Sequence, residues 1–312
     1  MVEQESVTQL LSNAYESLRG VDLPGATELF ERALAVDFEN PEVLWALKCA
    51  NFWAERASRL EGLPNAYERG EYAVAQWKSF ASFASKLEGE HERAFYAFKR
   101  YCFSLALAQY RSLPPEEKES HEADLALRVG RCQKGAGDFE SAMRSLETAA
   151  RERKDDAEVL AELADAYAMG GDVRASKALF REAFYLGAQR VRLELLESDM
   201  IRRLVERVAS LGYSGPELLE WIPVYGAVFG VFNVKRELKT IEAGKLRQSI
   251  YQLENEAREG GEDRSLLVPR LVNRYFWLID HFMAAKEDKA RIDEVLLKIR
   301  LLDASIYKQY TA

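Results

Sequence analysis

Two windows of the chain, 123–156 and 157–190, fall into register without a gap when the sequence is slid along itself by 34 residues (157 minus 123). Val129 then meets Leu163, Gly130 meets Ala164 and Gln133 meets Tyr167. Gly137-Asp138-Phe139 meets Gly171-Asp172-Val173, and Ala142, Leu146 and Ala149 meet Ser176, Phe180 and Ala183. A period of this length constrains the fold more than any composition does, because each copy is one supersecondary unit that buries its apolar face only against a neighbour. Large apolar residues at helical spacing make the buried stripe. Small residues at Gly130, Ala164, Ala142, Ser176, Ala149 and Ala183 let two antiparallel helices approach closely. The glycine of each Gly-Asp pair supplies left-handed backbone at the end of the first helix, and the aspartate caps the second. The unit is a helix–turn–helix hairpin.

This pattern resembles the tetratricopeptide repeat, whose period is about 34 residues. Gln133 stands where that family often has tyrosine, and Lys154 and Ala188 stand where proline often closes a repeat. A third copy begins near the N-terminus. Leu11, Ser12 and Tyr15 form its first helix and Asp22, Ala26, Phe30 and Ala33 its second, with two extra residues expected in the turn. Pro41 opens a further helix, where its missing N–H costs nothing. The resemblance covers residues 1–190 and implies an all-α, right-handed superhelical solenoid, followed by a non-repeat helical region at 191–312. It fails past 190, where Val205-Glu206 occupies the place of a Gly-Asp turn.

Between the clear copies, 65–88 and 90–112 predict long helices of roughly 35 Å each. They carry Tyr67, Tyr72, Trp77, Phe80 and Phe83 on one and Phe95, Tyr96, Phe98, Tyr101, Phe103 and Tyr110 on the other. Counting helices from 55 to 120 leaves one without a mate, so the pairing there stays open. In the last third, 216–234 is apolar nearly all round, is broken by Pro223 and closes on Asn233 and Lys235. That run falls short of a membrane span. Gly226 and Gly230 give it a small-residue face for close packing, which predicts either a buried helix plugging the superhelix or an oligomer contact. Amphipathic helices are expected near 233–257, 264–285 and 288–309.

A formal net charge of −8 speaks against a general nucleic-acid binder and against docking on an anionic membrane. Cys49, Cys102 and Cys132 are odd in number and far apart, and no CxxC occurs, so neither a disulfide framework nor a zinc site is read. The N-terminal segment has no basic and then apolar stretch, so a cytoplasmic location is expected unless a leader has been removed. The histidines, His91, His121 and His281, stand apart from one another, and Gly135-Ala-Gly137 reads as the repeat's turn rather than a phosphate loop. No catalytic constellation, metal or cofactor is expected.

A binding role fits better. In the family this chain resembles, the first helix of each repeat lines a concave groove. That resemblance assigns partner contact to Trp45, Cys49, Phe52 and Trp53, to Arg128, Arg131 and Lys134, and to Asp165 with Glu158, Glu162 and Met169. The three cations, spaced by three, read first as a solvated face paired to neighbouring acids, and otherwise as a stripe able to receive an acidic peptide. The aromatics form an apolar anchor pocket, or equally core. The expected function is a non-catalytic scaffold that holds a peptide or partner helix. The alternatives are an accessory protein enclosing a small ligand among the aromatics, and a homo-oligomer joined through the C-terminal helices.

Overall fold

The computed structural model describes residues 6–120, 122–234, 237–260 and 263–312. Residues 1–5, His121, Lys235, Arg236, Gly261 and Glu262 lie outside the described residues. Every regular element among the described residues is helical. The first eight helices are α1 (Val7–Arg19), α2 (Leu23–Val36), α3 (Pro41–Glu61), α4 (Ala66–Ala84), α5 (Glu92–Arg111), α6 (Pro115–Ser120), α7 (Glu122–Gly135) and α8 (Phe139–Glu152). The rest are α9 (Ala157–Met169), α10 (Val173–Gly187), α11 (Asp199–Ala209), α12 (Gly215–Val228), α13 (Thr240–Glu259), α14 (Arg264–Ala284), α15 (Lys289–Leu302) and α16 (Ala304–Thr311). No helix among the described residues is long and apolar enough to cross a membrane.

The chain divides into two compact units, Met1–Ala149 and Ala150–Ala312. The division falls within α8, inside the first of the two tandem copies. The physical reason is the apolar face of the 157–190 hairpin: Leu160, Phe180 and Phe184 share one core cluster with Trp221, Leu271 and Phe276 of the C-terminal helices.

Three hairpins turn in the same way. The N–H groups of Asp22, Asp138 and Asp172 each donate to a carbonyl five residues back, at Ser17, Gln133 and Tyr167, all at 2.9 Å. Each aspartate then accepts the N–H three residues on: Gly25 at 2.9 Å, Ser141 at 3.1 Å and Ala175 at 3.0 Å. Gly137 and Gly171 take positive φ, +85° and +93°, just ahead of their aspartates. The first hairpin therefore has no lengthened turn. Its small residue is the fully buried Ala14 rather than Ser12, and the left-handed position is filled by Val21 at φ +64°. Close approach is visible inside the α7–α8 hairpin, where a Cβ on Gly130 would lie 2.6 Å from Leu146 Cγ.

In the first unit α5 is central, packing on α1, α3, α4 and α7. The helix without a mate is α3, which stands between the pairs α1–α2 and α4–α5. Many of the crowded aromatics are core, though Tyr96 is exposed: Phe52 and Phe80 lie 5.3 Å apart between ring centres, Trp53 and Tyr101 5.6 Å, and Phe80 and Phe98 5.7 Å.

In the second unit the apolar run at 216–234 is not one broken helix. α12 continues through Pro223, ends at Val228, and Gly230 at φ +70° reverses the chain. Phe232 then folds back over Gly226, where a Cβ would sit 2.3 Å from its ring. α12 packs on α10, α11, α14 and α16, a bundle helix rather than a plug. α14 is buried on most sides through residues such as Leu271, Phe276 and Ile279, not amphipathic as expected, and α13, α12 and α15 surround it. The expected helix at 288–309 breaks at Asp303, whose carboxylate caps α16. Arg181 on α10 forms a buried ion pair with Asp280 on α14, donates to the Val234 carbonyl at 3.1 Å and lies 4.4 Å above the Trp277 ring.

Candidate binding groove

The feature of the first unit that could take a partner grows out of a mismatch in helix length. α3 has 21 residues and α2 only 14, so at 1.5 Å per residue α3 runs roughly 10 Å past its antiparallel neighbour. The overhang leaves a notch instead of closing it. Its volume is about 550 Å³, and its walls are Val21 from the turn before α2, Leu23 and Pro24 from the start of α2, and Ala57 and Leu60 from the end of α3. Trp53 and Tyr101 form part of the floor. Burial pushes the Tyr101 hydroxyl up to about 12, so it remains a neutral hydrogen-bonding group at physiological pH. Glu28, Glu31 and Glu61 also line the notch, and all three are exposed. The one guanidinium in the lining, Arg56, is already held: it donates to the Phe52 carbonyl at 2.7 Å and to Gln76 at 3.1 Å, and stacks 3.4 Å over the Phe52 ring.

The residues expected to contact a partner sit elsewhere. Trp45, Cys49, Phe52 and Trp53 are all in the core, and of the four only Trp53 reaches the notch. Arg128 is committed to an intramolecular network. It meets Glu71 at 2.7 Å and Asp124 within its own helix, and stacks over Tyr67. Tyr67 donates to Asp124 at 3.0 Å and Tyr110 donates to Glu71. An incoming carboxylate would have to displace two resident ones. Arg131 and Lys134 are buried, Lys134 at 2% exposure, so the expected basic stripe is not an open face. Asp165, with no exposed surface, accepts the backbone N–H groups of Glu197 at 2.9 Å and Ser198 at 2.8 Å and so fixes the chain entering α11. Glu162 is buried and Glu158 and Met169 are half-buried.

Sequence reasoning missed Val21, Leu60, Glu28, Glu31 and Glu61. One signal for them was present: an apolar-patterned helix starting at Pro41 that keeps going for two turns beyond the length of its partner.

Two further cavities lie in the first unit. One, about 580 Å³, is bordered by Tyr67, Glu68, Glu117 and Asp124 beside the Arg128 network. The other, about 540 Å³, lies against Trp45, His91 and Phe95. All three cysteines are buried, and burial pushes the thiols of Cys49 and Cys102 up, away from the reactive thiolate. No group of His, Cys, Asp and Glu among the described residues could hold a metal ion. No protein-family model matches the chain, and no curated protein sequence matches it.

Proposed function

We propose that this chain is a non-catalytic interaction scaffold of the tetratricopeptide type, which holds a peptide segment or partner helix. The observation that supports this reading most is the notch between α2 and the overhanging end of α3. It is concave, walled by apolar side chains, and of a volume suited to a few anchoring side chains. The turn chemistry supports the repeat assignment: three hairpins place a left-handed residue and then a capping aspartate at equivalent positions. Burial holds the Cys49 and Cys102 thiols protonated, which sets those two side chains aside as nucleophiles.

The test uses Ala57, exposed on α3 and part of the notch wall. Wild-type protein and Ala57→Glu, matched by circular dichroism, are immobilised and exposed to the same native extract. The scaffold reading expects a protein retained by the first and lost from the second. Identical retention by both removes the notch from the function. The cavity beside Trp45 and Phe95 supports the second reading, a small ligand enclosed among aromatics. Native mass spectrometry of protein purified from its own host separates the two, since a carried small molecule adds a discrete mass.

A further inference from the structure

In the first hairpin the left-handed position just ahead of the capping aspartate is filled by a residue that pays a conformational penalty there. Gly137 and Gly171 take this position freely, whereas Val21, a β-branched residue, adopts φ +64°. Cβ branching makes this region unfavourable for valine, and a turn alone gives no reason to keep it. Its side chain packs in part against the core of the first unit and in part borders the notch. Val21 stands at the head of the notch, continuing the wall that Leu23 and Pro24 form opposite Ala57 and Leu60. Glycine would leave that wall short.

Three carboxylates and one guanidinium, Arg56, line the notch, and Arg59 stands beside it, stacked over Tyr72. Glu28 and Glu31 lie one turn apart on α2, and Glu61 lies on the overhanging end of α3. Among the described residues none of the three takes part in a salt bridge, while Arg56 is drawn onto Phe52 and Gln76. Carboxylates without partners raise the local concentration of cations and penalise an acidic visitor. The apolar walls select for large aliphatic or aromatic side chains.

Resting on the scaffold reading above, we infer that the notch between α2 and α3 binds a short segment of another protein in which apolar anchor residues are flanked by lysine or arginine, and that Val21 is retained as a specificity-determining part of its wall. The anchors enter between Val21, Leu60 and Tyr101, and the flanking cations meet Glu28, Glu31 and Glu61.

The probe is a phage library of short random peptides panned on the full chain. The expected outcome is enrichment of sequences with one or two apolar anchors and adjacent Lys or Arg. Affinity for the enriched peptides should then fall at least about tenfold in Ala57→Glu and about tenfold in Glu28→Lys/Glu31→Lys, the latter loss shrinking as salt is raised. Val21→Gly should weaken the same peptides while Tm holds or rises. If Val21→Gly instead lowers Tm and leaves affinity unchanged, Val21 is a packing residue and its assignment falls. Enriched peptides that are acidic or neutral overturn the charge class. Peptides whose binding ignores both notch variants overturn the site while leaving the scaffold reading standing. No enrichment at all overturns both, and leaves the cavity to a small molecule.

Discussion

Asp165 shows how a residue can have the right chemistry for a groove and be used for something else. Its carboxylate takes two backbone N–H groups, from Glu197 and Ser198, with no surface left to solvent. Removing the acceptor leaves those donors buried. Asp165→Ala is expected to lower stability by about 3 kcal/mol, read as a drop in the urea midpoint, with Asp165→Asn losing less because one oxygen remains. An unchanged midpoint would mean that the two N–H groups find water. Glu254 carries a prediction in pH. Burial acts to raise its pKa, but hydrogen bonds from Tyr275 at 2.7 Å and Lys298 at 2.9 Å outweigh this and lower it below its ordinary 4.5. A carboxylate depressed on folding contributes stability above its unfolded value, and the contribution disappears as pH falls through the folded one. Acid titration of stability should therefore steepen below about pH 4.5 in the wild type and be shallower in Glu254→Gln.

At the scale of the hairpin, two glycines separate two mechanisms. Gly130 is needed for space, since a Cβ there would lie 2.6 Å from Leu146 Cγ, whereas Gly171 has nothing within 4 Å but sits at φ +93°. Gly130→Ala should cost about 1–3 kcal/mol through overpacking, and Leu146→Ala should recover part of that loss in a double-mutant cycle. Gly171→Ala should cost about 1 kcal/mol through backbone strain, and no neighbouring truncation should restore it. Strict additivity of Gly130→Ala with Leu146→Ala would contradict the close approach. These elements were readable in the sequence because Gly-Asp turns and small-residue positions depend on local chemistry that recurs at a fixed interval. The first hairpin is harder to register because valine does not signal left-handed backbone, and its small position lies at Ala14, two residues past Ser12. The expected groove failed for a related reason. Helical spacing tells which residues share a face, but it does not distinguish a face that looks into solvent from one covered by a third helix. Trp45 and Phe52 are such residues, covered by rings from α4 and α5.

For the whole molecule, the hairpin at 157–190 shares one core with the helices that follow it. The buried Arg181–Asp280 pair belongs to that junction, and its members are 99 positions apart. Nothing local in the sequence connects them, and a pair set by tertiary geometry has no periodic signature. The same holds for the notch, which arises from the difference in length between α2 and α3 together with the distant Tyr101. Its role as the binding surface is the claim on which the functional account depends. The most direct measurement is hydrogen–deuterium exchange of the full chain with and without a saturating peptide selected on it. The account predicts that added protection concentrates on 21–31 and 53–61, at the start of α2 and the end of α3, and is absent in Ala57→Glu. Protection confined to α13–α15, or spread evenly over the chain, would contradict it.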